Sequence, residues 1–143
     1  MRLHIITVGQ PKLAYAKAGW EEYYKRLQHY HTVRVTHVPD KHAYDATYFK
    51  LAIGKSYSVV LVIDGKQVTS PELATFLEAR TIDSRELCFI VGGPEGLPDE
   101  TIATANTSLG LSKLTFPHDL AMVVLLEALY RASTIQAGLP YHK

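Results

Sequence analysis

The chain has little cysteine: a single one, Cys88, in 143 residues. That excludes an intrachain disulfide, and its place inside an apolar run marks it as a buried, inert thiol suited to a reducing, cytoplasmic setting. Charge of one sign is lacking too. Fifteen Lys and Arg stand against fourteen Asp and Glu for a formal net charge of +1, which excludes nucleic-acid binding by bulk electrostatics. The small imbalance lies at the front, where residues 1–40 hold six basic and three acidic side chains. No charge-free stretch is long enough for a membrane span. There is no internal repeat, low-complexity tract or linker, so one domain over residues 1–143 is expected. The opening MRLHIITVGQ lacks a small-residue cleavage site and reads as a first strand, not a signal peptide. The seven histidines have no Cys or carboxylate cluster around them; His29 and His31 match a ligand pair only in spacing, and no metal site is expected.

What is present is alternation. Apolar, β-branched runs recur at Leu3–Val8, Val33–Val38, Ser58–Ile63, Leu87–Val91 and Leu109–Thr115, and read as strands. Helical patterns fall between them at Leu13–Gln28, Asp45–Ile53, Ser70–Arg80 and Pro98–Asn106. The third has its own start signal, with Ser70 as N-cap, Pro71 at the first helical position and Glu72 in the first turn. Alternating strands and helices predict an α/β fold with a mostly parallel sheet of five to six strands and helices on both faces. The last pattern, FPHDLAMVVLLEALYRASTIQAG, opens with Pro117, closes with Gly138 and is apolar on nearly every side. Glu127, Arg131 and Gln136 argue against a membrane helix, so the expectation is a helix covered by its own sheet and by a second copy of the chain, a homodimer. The tail after it, LPYHK, has nothing evident to pack against.

The glycine-rich stretch FIVGGPEGLPDE ends a predicted strand. A phosphate loop needs Lys and Ser or Thr directly after its glycines, but Gly96 is followed by Leu97 and Pro98. The spacing and position of GGPEG also miss the dinucleotide fingerprint. Still, glycines at the carboxyl end of a strand in an open α/β sheet lie where ligands enter such folds, although a tight turn would need them equally. A second irregular stretch, LGLSKLTFPH, can present the hydroxyl and backbone groups of Ser112, Lys113 and Thr115 beside it. Ser112, His118 and Asp119 can be strung into a hydrolase triad on paper, without the G-x-S-x-G elbow that would support one.

VGGPEGL, LSKLTFPH, LLEALYRA and the terminal PYHK together resemble the ribosomal large-subunit methyltransferase H family of the SPOUT class. LHIITVGQPK, EEYYKRL and VTHVPD at the front agree in order. The resemblance implies a C-terminal trefoil knot and a pocket for S-adenosylmethionine as methyl donor. Carried over by motif, that pocket takes in Leu61, the loop residues Gly92, Gly93, Glu95 and Gly96, and the run Leu111, Ser112, Lys113, Leu114, Thr115 and Phe116. It implies methylation of N3 of a pseudouridine in 23S rRNA on the assembled ribosome, without a metal. The chemistry needs the base held in line and a weakly acidic N3 proton removed. His142 is then the candidate base, Tyr141 a stacking or hydrogen-bonding group, and Lys143 a phosphate or anion contact. Arg131, four residues after Glu127, is set for an ion pair or for RNA. His118, behind Pro117, is expected to satisfy a backbone group.

Three departures from the family pattern stand out: Met122 replaces an Arg, Ala128 replaces a Gln, and the stretch between Pro39 and Ser58 is shorter. The Met122 change reads as a positive charge lost near the active site or dimer seam. The alternative to an enzyme is a knotted dimer that binds RNA or ribosome without catalysis; a flavodoxin-like nucleotide module comes third.

Overall fold

The computed structural model describes residues 1–83 and 85–143. Five strands form one parallel sheet in the order β2-β1-β4-β3-β5: β1 (Arg2–Val8), β2 (Thr32–Val38), β3 (Tyr57–Gln67), β4 (Leu87–Val91) and β5 (Thr107–Gly110). The central position of β4 explains its unbroken LCFIV, since both of its faces are covered and all five residues are buried. At the edge, β2 is buried only in part.

Helices cover both faces. Leu3, Ile5, Val59 and Phe89 pack against α1 (Ala14–Leu27), α3 (Ser70–Thr81) and α5 (His118–Gln136). The alternate residues Ile6, Val8, Val60 and Ile90 pack on the other face against α2 (Ala46–Ile53) and α4 (Asp99–Thr104). Each fully buried Leu, Ile or Phe contributes about 1.5–3 kcal/mol. Gly19 lets α1 approach α5, because a Cβ there would sit 2.9 Å from Val123 Cγ1.

Several expectations need correction. The cap of α3 is Thr69, not Ser70: Thr69 Oγ1 accepts from Glu72 N at 3.2 Å, and Glu72 Oε1 accepts from Thr69 N at 2.9 Å. This reciprocal box outcompetes a one-residue shift because it satisfies two backbone donors. The fifth strand is present but shifted: it runs Thr107–Gly110 and not Leu109–Thr115, and residues 111–117 form an irregular crossing segment that leads into α5. Conversely, β3 runs on to Gln67, through Asp64, Gly65 and Lys66, because a register break lets Lys66 and Gln67 pair with Leu109 and Gly110. Met122 lies on the inward face of α5 and is wholly buried in the core. Leu120, Val123, Val124 and Ala128 on the same helix are half-exposed.

Nor is the tail unpacked. Gly138, at φ 70°, ends α5 and turns the chain, and Leu139 N donates to Thr134 O at 2.9 Å. Tyr141 then stands edge-on to Tyr130, with ring centroids 4.7 Å apart.

Candidate active site

The middle of β3, where its pairing with β4 ends, and the carboxyl end of β4 open into a cavity of about 610 Å3, within the range of small-molecule sites. Leu61 and Val91 form its floor. The glycine loop supplies Gly92, Gly93, Glu95 and Gly96 along one wall, and the crossing segment supplies Leu111, Ser112, Leu114, Thr115 and Phe116 along the other. Lys113 is exposed and does not line the cavity, contrary to expectation: Ser112 Oγ accepts from Leu114 N at 3.0 Å, and within that turn Lys113 falls on the outside. Sequence reasoning missed the contributions of α4 and of the start of α5. Asp99, Ile102, His118 and Ala121 complete the wall. The Pro98–Asp99 helix start directly after the glycine loop was the available signal.

The glycines serve the loop itself. A Cβ at Gly92 would meet the Gly96 carbonyl carbon at 2.7 Å and Leu97 Cγ at 2.9 Å. One at Gly93 would touch Val8, and Gly96 holds φ +90° with open space beside it. The turn is closed by Gly96 N donating to Gly93 O at 3.0 Å. The tight-turn reading therefore accounts for Gly92, by close approach, and for Gly96, by its φ, and the cavity is a consequence of the folded loop.

Two contacts fix the rim. Tyr44, from the short segment before α2, donates its hydroxyl to Glu95 Oε2 at 3.1 Å. His118 Nε2 donates to Val8 O at 2.7 Å, which satisfies a backbone group as expected. Asp119 accepts from the backbone N–H groups of Lys12 and Leu13, both at 2.7 Å. Burial opposes its ionisation, but these two donors prevail and hold its carboxyl below the usual range. Asp119 is thus committed to tying the β1–α1 loop to α5, and the paper triad with Ser112 is absent.

Electrostatically the cavity carries Glu95 and Asp99, and no Lys or Arg among the described residues lines it. Such a wall repels phosphate and suits a cation with an apolar, flat body. That donor set fits S-adenosylmethionine, whose sulfonium is positive and whose adenine is flat.

The four proposed catalytic residues lie elsewhere. Arg131 pairs with Glu127 at 2.7 Å, as the spacing predicts. Its guanidinium sits 4.8 Å from the Tyr141 ring centroid, and its Nη1 donates to His142 Nδ1 at 3.1 Å. A guanidinium only donates, so Nδ1 is the acceptor and Nε2 keeps the proton. His142 must leave Arg131 before Nδ1 can accept a proton from anything else. Tyr141 Oη donates to Glu127 Oε1 at 3.3 Å; burial, with Tyr23 and Glu127, pushes its phenol above the ordinary range. It is a donor, not a base. Lys143 is exposed at the end. Arg131 lies ten residues beyond Ala121 of the cavity wall along α5, roughly 15 Å at 1.5 Å per residue, and Tyr141 reaches back to Glu127. None of Arg131, Tyr141, His142 and Lys143 lines the cavity.

Residues 1–142 match the family described as "Predicted SPOUT methyltransferase". The chain is 52% identical to the ribosomal RNA large subunit methyltransferase H of Deinococcus deserti over 145 aligned positions, covering all of both proteins. It is 50% identical to the protein of that name in Deinococcus radiodurans, covering all of this chain and 99% of the other. A probable methylase family protein from Haemophilus influenzae shares the fold at a TM-score of 0.60 and 11% identity, over 99% of this chain and 70% of the other. With an α/β sheet of this order and full-length identity near one half, the chain belongs to the SPOUT methyltransferases, in the family of ribosomal RNA large subunit methyltransferase H.

Proposed function

We propose that this protein methylates N3 of a pseudouridine in 23S rRNA of the assembled ribosome, using S-adenosylmethionine, as a cytoplasmic homodimer of one-domain chains spanning residues 1–143. The observation that carries the reading is the acid-rimmed cavity at the strand ends, lined by no Lys or Arg among the described residues. Leu61, the glycine loop and residues 111–116, without Lys113, hold the cofactor, and Glu95 and Asp99 face its positive charge. Bound there, S-adenosylmethionine supplies a methyl group already activated for transfer. The protein's own work is to exclude water, align the base and move the N3 proton.

That none of Arg131, Tyr141, His142 and Lys143 lines the cavity of their own chain, with a half-exposed apolar flank on α5, supports a site shared between two copies. The tail of one copy, with Arg131, Tyr141, His142 and Lys143, meets the cavity of the other. Once released from Arg131, His142 Nδ1 accepts the N3 proton, while Arg131 and Lys143 stabilise the charge left on the base. The C-terminal part of the chain, from β5 through α5, is threaded as a trefoil knot in this reading.

Calorimetric titration with S-adenosylmethionine is expected to give saturable binding, weakened at least tenfold in Gly92→Leu. A folded dimer that binds none would favour a non-catalytic RNA-binding role. Methyl transfer to ribosomes lacking the modification is expected to fail in His142→Ala; undiminished transfer would remove His142 from the mechanism. Tyr44→Phe leaves Glu95 unanchored, and cofactor affinity should fall roughly 2–5-fold, in keeping with one exposed hydrogen bond to a charged group. Unchanged affinity would show that Glu95 does not depend on Tyr44.

A further inference from the structure

A second cavity, of about 710 Å3, opens at the other end of the sheet, where the strands begin, and shares no lining residue with the first. Four cations line it, Arg2, Arg34, Lys55 and Arg85, against the single carboxylate of Glu86. That is a net +3 in one cavity of a chain whose total is +1. Glu86 is already committed: its two oxygens accept from Arg34 Nε and Nη2, each at 2.8 Å, and Ser56 Oγ donates to it at 2.9 Å. Arg85 is anchored as well, with Nη2 donating to Lys55 O at 3.0 Å and Ser56 O at 3.1 Å. Two guanidinium groups are therefore fixed in place before any ligand arrives, which lowers the ordering cost of binding an anion. Lys55 is exposed at the mouth. The opposite wall is Tyr48 with Leu51, Ala52 and Ile53 of α2, and Leu51 is 79% exposed.

Cations beside an aromatic and aliphatic wall suit a phosphate joined to a nucleoside better than a small free anion, which has no use for the wall. We propose that this cavity is a second RNA contact, taking a backbone phosphate and its adjoining nucleoside from the ribosomal RNA. The inference rests on the rRNA-methyltransferase reading and adds a site to it. The two cavities are separated by about one strand length, roughly 20 Å at 3.3 Å per residue. A contact of this kind fixes the orientation of the RNA without reading its sequence.

The test is equilibrium binding of the full-length protein to purified ribosomes in rising KCl, with Lys55→Ala, Lys55→Glu and a benzophenone amino acid in place of Leu51. The expected result is about tenfold weaker ribosome binding by Lys55→Glu at low salt, an intermediate loss for Lys55→Ala, and a salt slope smaller by about one. S-adenosylmethionine affinity should stay at the wild-type value, and the photoprobe should join to ribosomal RNA. Equal ribosome affinity and slope in both Lys55 variants would overturn the proposal, as would a photoproduct with a ribosomal protein. Wild-type protein that binds S-adenosylmethionine but no ribosome would overturn it together with the substrate assignment. Ribosome binding that depends on Lys55 in a protein without affinity for S-adenosylmethionine would uphold this contact and sink the methyltransferase reading alone.

Discussion

Gly65→Ala is expected to lower the unfolding free energy by about 3 kcal/mol or more, and the melting temperature by roughly 10 °C for a chain of this size. The added Cβ would stand 2.5 Å from the carbonyl carbon of Leu109 and 2.7 Å from the amide nitrogens of Leu109 and Gly110. All three are backbone atoms, so no rotamer change relieves the overlap. Relief requires opening the outer β3–β5 pairing, in which Lys66 faces Leu109 and Gln67 faces Gly110. Those residues lead directly into the segment that walls the cofactor cavity, so affinity for S-adenosylmethionine should fall with stability. Gly110→Ala is the matched control. Its Cβ would lie 3.0 Å from Gly65 O and at least 3.3 Å from the carbonyls of Val62 and Ile63, which a small shift accommodates. Thermal melts of both variants decide the matter: equal, small losses would show that the crossing is looser than these distances.

Acid is expected to destabilise the fold steeply between pH 6.5 and 4. His4 is fully buried, and burial first, then Arg34, pushes its pKa down to about 4 against the raising effect of Glu86. Burial, and then the N-terminal ammonium, lowers His31 to about 4 as well. His4 Nε2 is bonded to Thr36 Oγ1 at 2.7 Å, and His31 Nε2 to Ser133 Oγ at 2.8 Å. Between pH 4 and 6.5 the unfolded chain protonates both rings and the folded chain does not. Unfolding therefore takes up protons, and stability rises with pH across this window. The contribution is complete above about pH 6.5 and is lost as pH falls toward 4, on the order of 3 kcal/mol per ring. Glu86 acts in the next window down. The Arg34 hydrogen bonds hold it at about 2, so its contribution is present above 4.5 and lost below. Urea midpoints at pH 7, 6, 5 and 4.5 should show the fall, and His31→Asn should halve it. A flat profile from pH 7 to 4.5 would refute the buried-neutral state of both rings.

Sequence and structure divide the account along physical lines. The five strands, the two-faced coverage and the long last helix were legible because each rests on local periodicity: LCFIV can only be a strand covered on both faces, and Pro117 and Gly138 bracket α5. The cavity walls were legible in part through Gly92, Gly96, Ser112 and Thr115, since chain reversals at strand ends leave glycine and irregular polar runs, whereas Leu61, Leu111 and Phe116 came only from the family resemblance. The Arg131–Glu127 pair followed from helical spacing alone. Tertiary structure decided the rest, because it depends on atoms distant in sequence. The extension of β3 past Asp64 follows from pairing with a strand some forty residues away, and Thr69 displaces Ser70 by a reciprocal contact that composition does not reveal. Lys113 falls outside the cavity wall, and the contacts of Tyr141 with Glu127 and of His142 with Arg131 hold the tail against α5 and off the cavity lining. Residue types and their spacing determined the elements and the chemistry on offer; only the packing of those elements decided which groups meet, because proximity across the fold is not a property of any local run.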